Sequence, residues 1–239
     1  GVQTCALPIY SPSAVVVDRK GLIYVCDTKN CRIQICTKIG EPIKRIGRPL
    51  VVVGRSEPPG SVGFNNPRGL ALDEEEGLLY VSDTGNHRLR ALKPDGTPVM
   101  TFGQHGLREG EFLHPIGIAV GPQGRLYVAD SENYRIQVFE RGFKFQRAIG
   151  RRGPGPGDFA QPPTHVAVTR NNELIVCDRT DRIRIFGESG NYLGSISGWR
   201  LENLSPKYTA VVLREPQDLI AIDDNGCRWH HFVYKEVKE

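Results

Sequence analysis

The stretch "GLLYVSDTGNHRLRAL", residues 77–92, decides the fold because its pattern of apolar, acidic and basic residues recurs along the chain. At its centre an Asp ends a short apolar run, and an Arg follows that Asp at a nearly fixed distance. Copies span residues 21–36, 124–139, 172–186 and, in a weaker form, 218–232. The Asp recurs at spacings of 45 to 56 residues within the 239-residue chain. The chain is therefore built from an internal repeat.

Each copy lies inside a unit with four predicted strands. Strand a is a short apolar run such as "LALD" (70–73), and strand b is the run that ends at the Asp. Strand c begins at the Arg and alternates apolar with polar residues, and strand d follows a turn such as "KPDG" (93–96). Helical periodicity is absent, and a strand-rich period of about 40–50 residues is typical of propeller blades. The sequence predicts an all-β propeller of four-stranded antiparallel blades.

The predicted organisation is four complete blades followed by strands a, b and c of a fifth. The repeat domain spans residues 10–234, and residues 235–239 form a C-terminal tail. Residues 1–9, "GVQTCALPI", do not fit the pattern and resemble the in-frame translation of a sequencing-library adaptor. We expect these nine residues to be non-native and leave them out of the fold prediction.

The repeated residues resemble NHL repeats, and the resemblance covers residues 11–234. It implies a six-bladed β-propeller, of which this chain would hold about five blades and lack an N-terminal part. The pattern is most similar to the NHL domains at the C-terminus of tripartite-motif proteins. That resemblance implies two uses: sequence-selective RNA binding, or the capture of protein substrates for a RING ubiquitin ligase on the same polypeptide.

The repeated Asp and Arg are predicted to be structural. A catalytic constellation occurs once per site, whereas a structural device occurs once per blade. We expect the Asp to accept backbone N–H groups, and the Arg to pair across the b–c turn or to the next blade. The predicted structural residues are Asp27, Arg32, Asp83, Arg88, Asp130, Arg135, Asp178, Arg182, Asp223 and Arg228.

Strand alternation places the d–a loops and the b–c turns of a blade on one side, here called the loop face. This face has a slight basic excess, whereas the other turns, with "DEEEG" (73–77), have an acidic excess. Cations beside Tyr and His could contact single-stranded RNA or an acidic protein segment. The predicted partner-binding residues are Arg55, Arg68, His87, His105, Arg108, Tyr134, Arg151, Arg152, His165 and Arg179. The d–a loops also carry aromatic residues that we expect to fill gaps between blades, namely Phe64, Phe112 and Phe159.

Two positions vary between the repeats, and variation within a repeat often marks function. The residue before the repeated Arg is Cys31, His87, Tyr134, Asp181 or Cys227. The residue near the start of strand a is Ser13, Arg68, Ile116, Thr164 or Thr209. We expect specificity residues in these two sets, and solvated loop tips are the alternative.

Composition limits the location and the partners. The formal net charge of +4 permits an acidic partner without requiring one. Six cysteines stand singly, with no C-x-x-C pair, which favours reduced thiols and a cytoplasmic location over a disulfide framework. No run approaches the ~18 apolar residues of a membrane span, so we expect no membrane partner.

The sequence shows no P-loop, G-x-S-x-G, H-E-x-x-H or EF-hand pattern. We therefore expect a non-catalytic recognition chain with no cofactor and no metal. Two alternatives stay open. One is a pure protein–protein scaffold. The other is an enzyme similar to the zinc-dependent peptide-amidating lyases, in which His87, His105 and His165 would have to converge on a metal.

Overall fold

The computed structural model describes residues 8–49, 62–197, 207–214, 218–223 and 228–233. The predictions for Arg55, residues 1–7 and the tail 235–239 fall outside these ranges. The chain divides into two compact units, residues 1–105 and residues 106–239. Within the described ranges the secondary structure is strand, with five short 3₁₀ turns at Thr28–Asn30, Thr84–Asn86, Pro122–Gly124, Ser131–Asn133 and Arg141–Phe143. None of the helical segments in these ranges is long and apolar enough to cross a bilayer.

The first unit contains two antiparallel four-stranded sheets whose strands pair in chain order. The first sheet consists of β1 (Pro12–Val17), β2 (Ile23–Asp27), β3 (Arg32–Cys36) and β4 (Pro42–Ile46). The second sheet consists of β5 (Gly69–Asp73), β6 (Leu78–Asp83), β7 (Arg88–Leu92) and β8 (Pro98–Phe102). The strands of each sheet correspond to the predicted strands a, b, c and d.

The second unit contains two four-stranded sheets and, among the described residues, one three-stranded sheet. The third sheet consists of β9 (Pro115–Val120), β10 (Leu126–Asp130), β11 (Arg135–Glu140) and β12 (Lys144–Ile149). The fourth consists of β13 (His165–Val168), β14 (Leu174–Cys177), β15 (Arg182–Phe186) and β16 (Tyr192–Ser197). The fifth consists of β17 (Tyr208–Arg214), β18 (Asp218–Asp223) and β19 (Arg228–Val233). The predicted architecture of four-stranded antiparallel sheets is confirmed, and the fifth sheet has three strands among the described residues.

The core lies between successive sheets of each unit, where one face of each pleated sheet is apolar. In the first unit, Tyr24 and Ile33 of the first sheet pack in one cluster with Leu79 of the second. In the second unit, one cluster joins the third and fourth sheets and another joins the fourth and fifth. These inter-sheet cores hold the loops of each unit in fixed positions.

The three loop phenylalanines fill gaps in the fold, as predicted. Phe64, Phe112 and Phe159 are fully buried. Phe159 belongs to the cluster that joins the third and fourth sheets, and its ring lies against Gly150. Gly150 has φ +78°, and a Cβ at this position would lie 2.3 Å from a ring carbon of Phe159. The loop therefore needs glycine here both for its backbone angle and for the close approach of the ring.

Candidate functional site

The repeated Asp joins the b–c turn to the preceding d–a loop. In the third sheet, Asp130 Oδ1 accepts the backbone N–H of Leu113 at 2.7 Å. Its Oδ2 accepts from Asn133 Nδ2 at 2.9 Å, Arg135 Nε at 2.7 Å and Gln137 Nε2 at 3.0 Å. The Asp130 side chain is fully buried. All four bonds lie inside the fold, so this carboxylate is occupied by structural contacts.

The first unit contains the same contacts. Arg32 Nε lies 2.6 Å from Asp27 Oδ2 in the first sheet, and Arg88 Nε lies 2.7 Å from Asp83 Oδ2 in the second. The backbone N–H of Asn65, in the preceding loop, donates to Asp83 Oδ1 at 2.7 Å. Buried pairs of this kind fix the turn because the loss of one partner leaves the other as a buried charge without a counter-charge.

The fourth sheet corrects the prediction for Arg182. Its side chain is 58 % exposed, and its Nε lies 4.0 Å from Asp181. Arg184, two residues further along, places its Nη1 2.7 Å from the buried Asp178 carboxylate instead. The b–c turn of this sheet is one residue shorter than the others and lacks their Asn, which changes the direction of the first Arg. For Asp223 and Arg228 in the fifth sheet, the structure describes only the backbone.

The variable position before the repeated Arg has a constrained backbone. Cys31, His87 and Tyr134 cap the 3₁₀ turns in the left-handed conformation, with φ of 50°, 54° and 55°. In the shorter fourth turn, the positive φ falls at Arg179, with φ 60°. The fold thus fixes the shape of this position while the residue type changes. The sequence showed the variation but not the constraint.

The capping residue contacts the next d–a loop in both units. In the first unit, the rings of His87 and His105 meet edge to face with centroids 4.7 Å apart. In the second unit, the Arg152 guanidinium lies over the Tyr134 ring, 5.1 Å from its centroid. We call these contacts the loop pairs. Each joins a capping residue to the third residue of the following loop. The sequence analysis treated these two positions separately.

A sequence signal for the loop pairs was present. His105 follows His87 by 18 residues, and Arg152 follows Tyr134 by the same 18 residues. A fixed separation between two variable positions indicates that the repeat brings them together. Both loop pairs join residues that the sequence predicts to bind a partner.

The other predicted arginines in the described part of the chain lie on the surface. Arg68, Arg108 and Arg179 have exposed side chains. Arg151 is also exposed, and its Nε lies 3.0 Å from Asp158 of its own loop. Within the second unit, the loops of Arg108 and Arg151 therefore both carry acids as well as cations, namely Glu109 and Glu111 in one and Asp158 in the other.

Residues near the start of strand a contribute to packing between sheets. Ser13 Oγ donates to the carbonyl of Arg68 at 2.9 Å, from the first sheet to the second. Thr164 Oγ1 donates to the carbonyl of Thr209 at 3.1 Å, from the fourth sheet to the fifth. Ser13 and Thr164, which were predicted as specificity residues, therefore each make a hydrogen bond between neighbouring sheets.

His165 requires a second correction. It is the first residue of β13 and lies partly buried against β17, where its Nδ1 accepts the backbone N–H of Val211 at 3.4 Å. Burial lowers the pKa of His165 to about 4, so the ring is neutral at pH 7. It therefore supplies no cation to the loop face.

We predict that His165 makes the protein less stable in mild acid. The unfolded chain binds a proton at this ring near pH 6.5, whereas the folded chain binds it only near pH 4. Between these values the unfolded state holds more protons, so stability falls as pH falls. Between pH 7 and pH 5, the free energy of unfolding measured by urea denaturation should fall by about 1–2 kcal/mol. His165→Asn keeps a hydrogen-bond acceptor but has no group that titrates in this range. Its free energy of unfolding should therefore fall by about 1–2 kcal/mol less than that of the wild type between pH 7 and pH 5. Parallel curves for the two proteins would contradict the assignment.

The described side chains offer little to metal or thiol chemistry. Among them, no three His, Cys, Asp or Glu side chains are placed together to hold a metal ion. Cys26 and Cys177 are free and fully buried. Burial raises the pKa of both thiols, which therefore stay protonated at neutral pH and are poor nucleophiles.

The sheets and their order define the class of the protein, which is the β-propeller. The streptogramin B lyase structure matches with a TM-score of 0.65 at 14% identity, over 98% of this chain and 72% of that one. A chain of the nidogen/laminin complex matches with a TM-score of 0.68 at 18% identity, over 94% and 81%. A gluconolactonase from Xanthomonas campestris matches with a TM-score of 0.66 at 19% identity, over 92% and 71%. At these identities the likeness shows the fold alone.

Three segments of the chain are similar to the NHL repeat. The sequence pattern of the NHL repeat matches residues 10–36, 64–92 and 112–139. The NHL repeat-containing protein 2 of Bos taurus is 34% identical over 95 residues, which is 38% of this chain and 13% of that protein. Its Gallus gallus counterpart is 34% identical over 87 residues, 36% of this chain and 11% of that protein. The aligned segments cover only these small fractions of the curated relatives.

Proposed function

We propose that this chain is a non-catalytic recognition domain whose loop pairs bind an acidic protein segment. The observation that supports this proposal is the stacking of Arg152 on Tyr134 at a position where the repeat fixes the backbone but not the side chain. Arg and Tyr are the residue types that dominate binding energy at protein interfaces. A guanidinium held over a ring is already oriented, so it loses little freedom on binding a carboxylate.

Two features favour a protein segment over RNA as the partner. Tyr134 packs against the core cluster and carries Arg152 on its ring, which leaves little ring surface for a stacked base. Asp158 and Glu111 lie on the loops beside the cations and would repel a continuous phosphate backbone. A segment with a few separated carboxylates suits this mixture of cations and acids better. RNA is the second candidate, and the test below distinguishes the two.

The wider setting is proposed from the NHL resemblance alone. A ubiquitin ligase of the tripartite-motif type would use this domain to bind its substrates, in the cytoplasm. Some propellers of similar fold are enzymes, including the lyase and the gluconolactonase. The genomic sequence upstream of residue 10 tests the ligase proposal, because a RING, B-box and coiled coil must be encoded there.

Arg152→Ser is expected to weaken binding of a labelled peptide, in which single glutamates are separated by pairs of serines, about tenfold in fluorescence anisotropy. The guanidinium lies at the loop pair, so its loss removes a direct contact with a carboxylate. The matched control is Arg19→Ser, which removes the same charge from an exposed a–b turn and should change the affinity less than about twofold.

Equal effects of the two substitutions would contradict the proposed site. Dodecauridine serves as the second probe. Tighter binding of this RNA, with a steep salt dependence that Arg152→Ser reduces, would replace the acidic protein by RNA.

A further inference from the structure

We propose that this chain binds a second copy of itself head to tail, through two apolar sheet faces that lie exposed on the first and fifth sheets. The leading face belongs to the first sheet and consists of Val15, Val17, Ile23 and Val25. The trailing face belongs to the fifth sheet and consists of Val212, Ile220 and Ile222. This inference concerns the sides of the sheets, so it is independent of the function proposed for the loop face.

The leading face points away from the second sheet. Ala14 and Val16 of β1 pack against the core cluster that the first sheet shares with the second. Successive side chains of a strand point to opposite faces, so Val15 and Val17 lie on the other side. Val15 is 61% exposed and Val17 is 59% exposed, and Val25, opposite Val15 on β2, is half-buried. The first sheet therefore presents β-branched apolar side chains to solvent.

The position of Val15 is covered in other sheets of the same pattern. The pairing of Val15 with Val25 recurs in the second, fourth and fifth sheets, as Leu70 with Val81, Val166 with Val176 and Val211 with Ala221. Leu70 is 5% exposed, and Val166 and Val211 are each 1% exposed. Each belongs to a core cluster with residues of the preceding sheet. The surface that fits the leading face is therefore the far side of another sheet of this repeat.

The fifth sheet presents such a surface. Val211 and Ala221 pack in the cluster that joins the fifth sheet to the fourth, so Val212 and Ile222 point to the opposite side. Val212 is 55% exposed and Ile222 is 45% exposed. In the first sheet, Cys26 directly precedes the repeated Asp as Ile222 does, and it is fully buried in the cluster shared with the second sheet. The trailing face therefore corresponds to a surface that packs against the next sheet elsewhere in the chain.

A second copy is the occupant that these observations favour, because one chain carries both complementary faces. The trailing face of one copy on the leading face of another would repeat the packing that joins the first sheet to the second. Both faces consist of Val and Ile, so their contact buries apolar surface without removing a charge from water. Neighbouring exposed apolar side chains of this kind mark protein interfaces. Because the two faces differ, copies would add one after another or close into a ring.

Sedimentation velocity of the whole chain tests this proposal. Wild-type protein should form dimers and larger species, in a proportion that rises between about 1 and 100 µM. Val15→Asp places a charge in the leading face and should weaken association about a hundredfold. The matched control is Val99→Asp, since Val99 is 48% exposed on β8 of the second sheet, and this variant should associate like the wild type.

A second substitution keeps the test decisive if Val15→Asp does not fold, which circular dichroism would show. Val15→Thr keeps the β-branched shape and adds only a hydroxyl, so it should weaken association about tenfold. Wild-type protein that stays monomeric over the whole concentration range would overturn the proposal. An equal loss of association in Val99→Asp, or folded variants at Val15 that associate like the wild type, would overturn it as well.

Mixing two variants tests the head-to-tail arrangement. Ile222→Asp disables the trailing face and should associate as weakly as Val15→Asp when each is alone. Their mixture should form a one-to-one dimer that does not grow, because one protein keeps its trailing face and the other keeps its leading face. Association of Ile222→Asp at wild-type strength would indicate a symmetric contact between leading faces and would overturn the arrangement. A mixture that stays monomeric would overturn it too.

Discussion

Asp130→Asn should lower the free energy of unfolding by about 3–5 kcal/mol, as measured by urea denaturation of the whole chain. The reason is the geometry of its two oxygens. Oδ1 accepts the N–H of Leu113, and Oδ2 accepts from three donors, on Asn133, Arg135 and Gln137. Asparagine fits the same space, but its NH₂ group must face either the N–H of Leu113 or the three other donors, so at least one donor loses its acceptor. Arg135, whose side chain is 15% exposed, also loses its counter-charge.

The control for this change is Asp181→Asn. Asp181 carries the same charge in a b–c turn, but its side chain is 39 % exposed and lies 4.0 Å from Arg182. Surface pairs of this kind contribute about 0–1 kcal/mol, so the control should stay close to wild type. A loss for Asp130→Asn no larger than that of the control would show that the buried carboxylate does not hold the turn and loop together.

Phe159→Ala should cost about 3–5 kcal/mol of unfolding free energy and should also weaken binding of the acidic peptide. The ring is fully buried in the cluster that joins the third and fourth sheets, with its centroid 5.9 Å from that of Phe186. Its removal leaves a cavity that the two sheets can close only in part. The backbone of Phe159 is also bonded to the loop that carries Arg152, through the carbonyl of Arg151 at 2.8 Å. Loss of the ring therefore loosens the loop pair.

Phe145→Ala makes the same substitution at a partly exposed position of β12 and should cost clearly less than the change at Phe159. Phe159→Leu, which keeps most of the apolar volume, should lie between the two and retain peptide binding. Loss of stability without loss of binding in Phe159→Ala would show that the loop keeps its shape independently of the ring.

The sequence was sufficient for the strands because apolar runs, polar turns and the repeated Asp all recur at one period. The boundaries of the second sheet, from Gly69 to Phe102, follow this pattern closely. The burial of Phe159 was also predictable, since a large aromatic beside Gly and Pro in a recurring loop needs a place in the core. These features depend on local pattern and on the average cost of exposing apolar surface.

Individual contacts were predictable only where every repeat has the same length. The fourth b–c turn is one residue shorter, and there Arg184 pairs with Asp178 in place of the predicted Arg182. His165 was placed among the exposed residues by its position near a loop, but the neighbouring β17 covers it. The distance between two sheets and the direction of a side chain depend on packing, which a one-dimensional pattern does not contain.

The left-handed cap at His87 and Tyr134 has an evolutionary consequence. The backbone at this position is held by the turn itself, through an N–H bond to Thr84 in one case and to Ser131 in the other. The side chain is not needed for that bond, and residues without a β-branch, other than Gly, Asn and Asp, meet a similar backbone cost of about 1–2 kcal/mol. Single substitutions can therefore change the side chain presented at this position while the sheets below remain unchanged. Each repeat can diverge here independently, so a duplicated scaffold can vary the surface proposed for recognition without losing its fold.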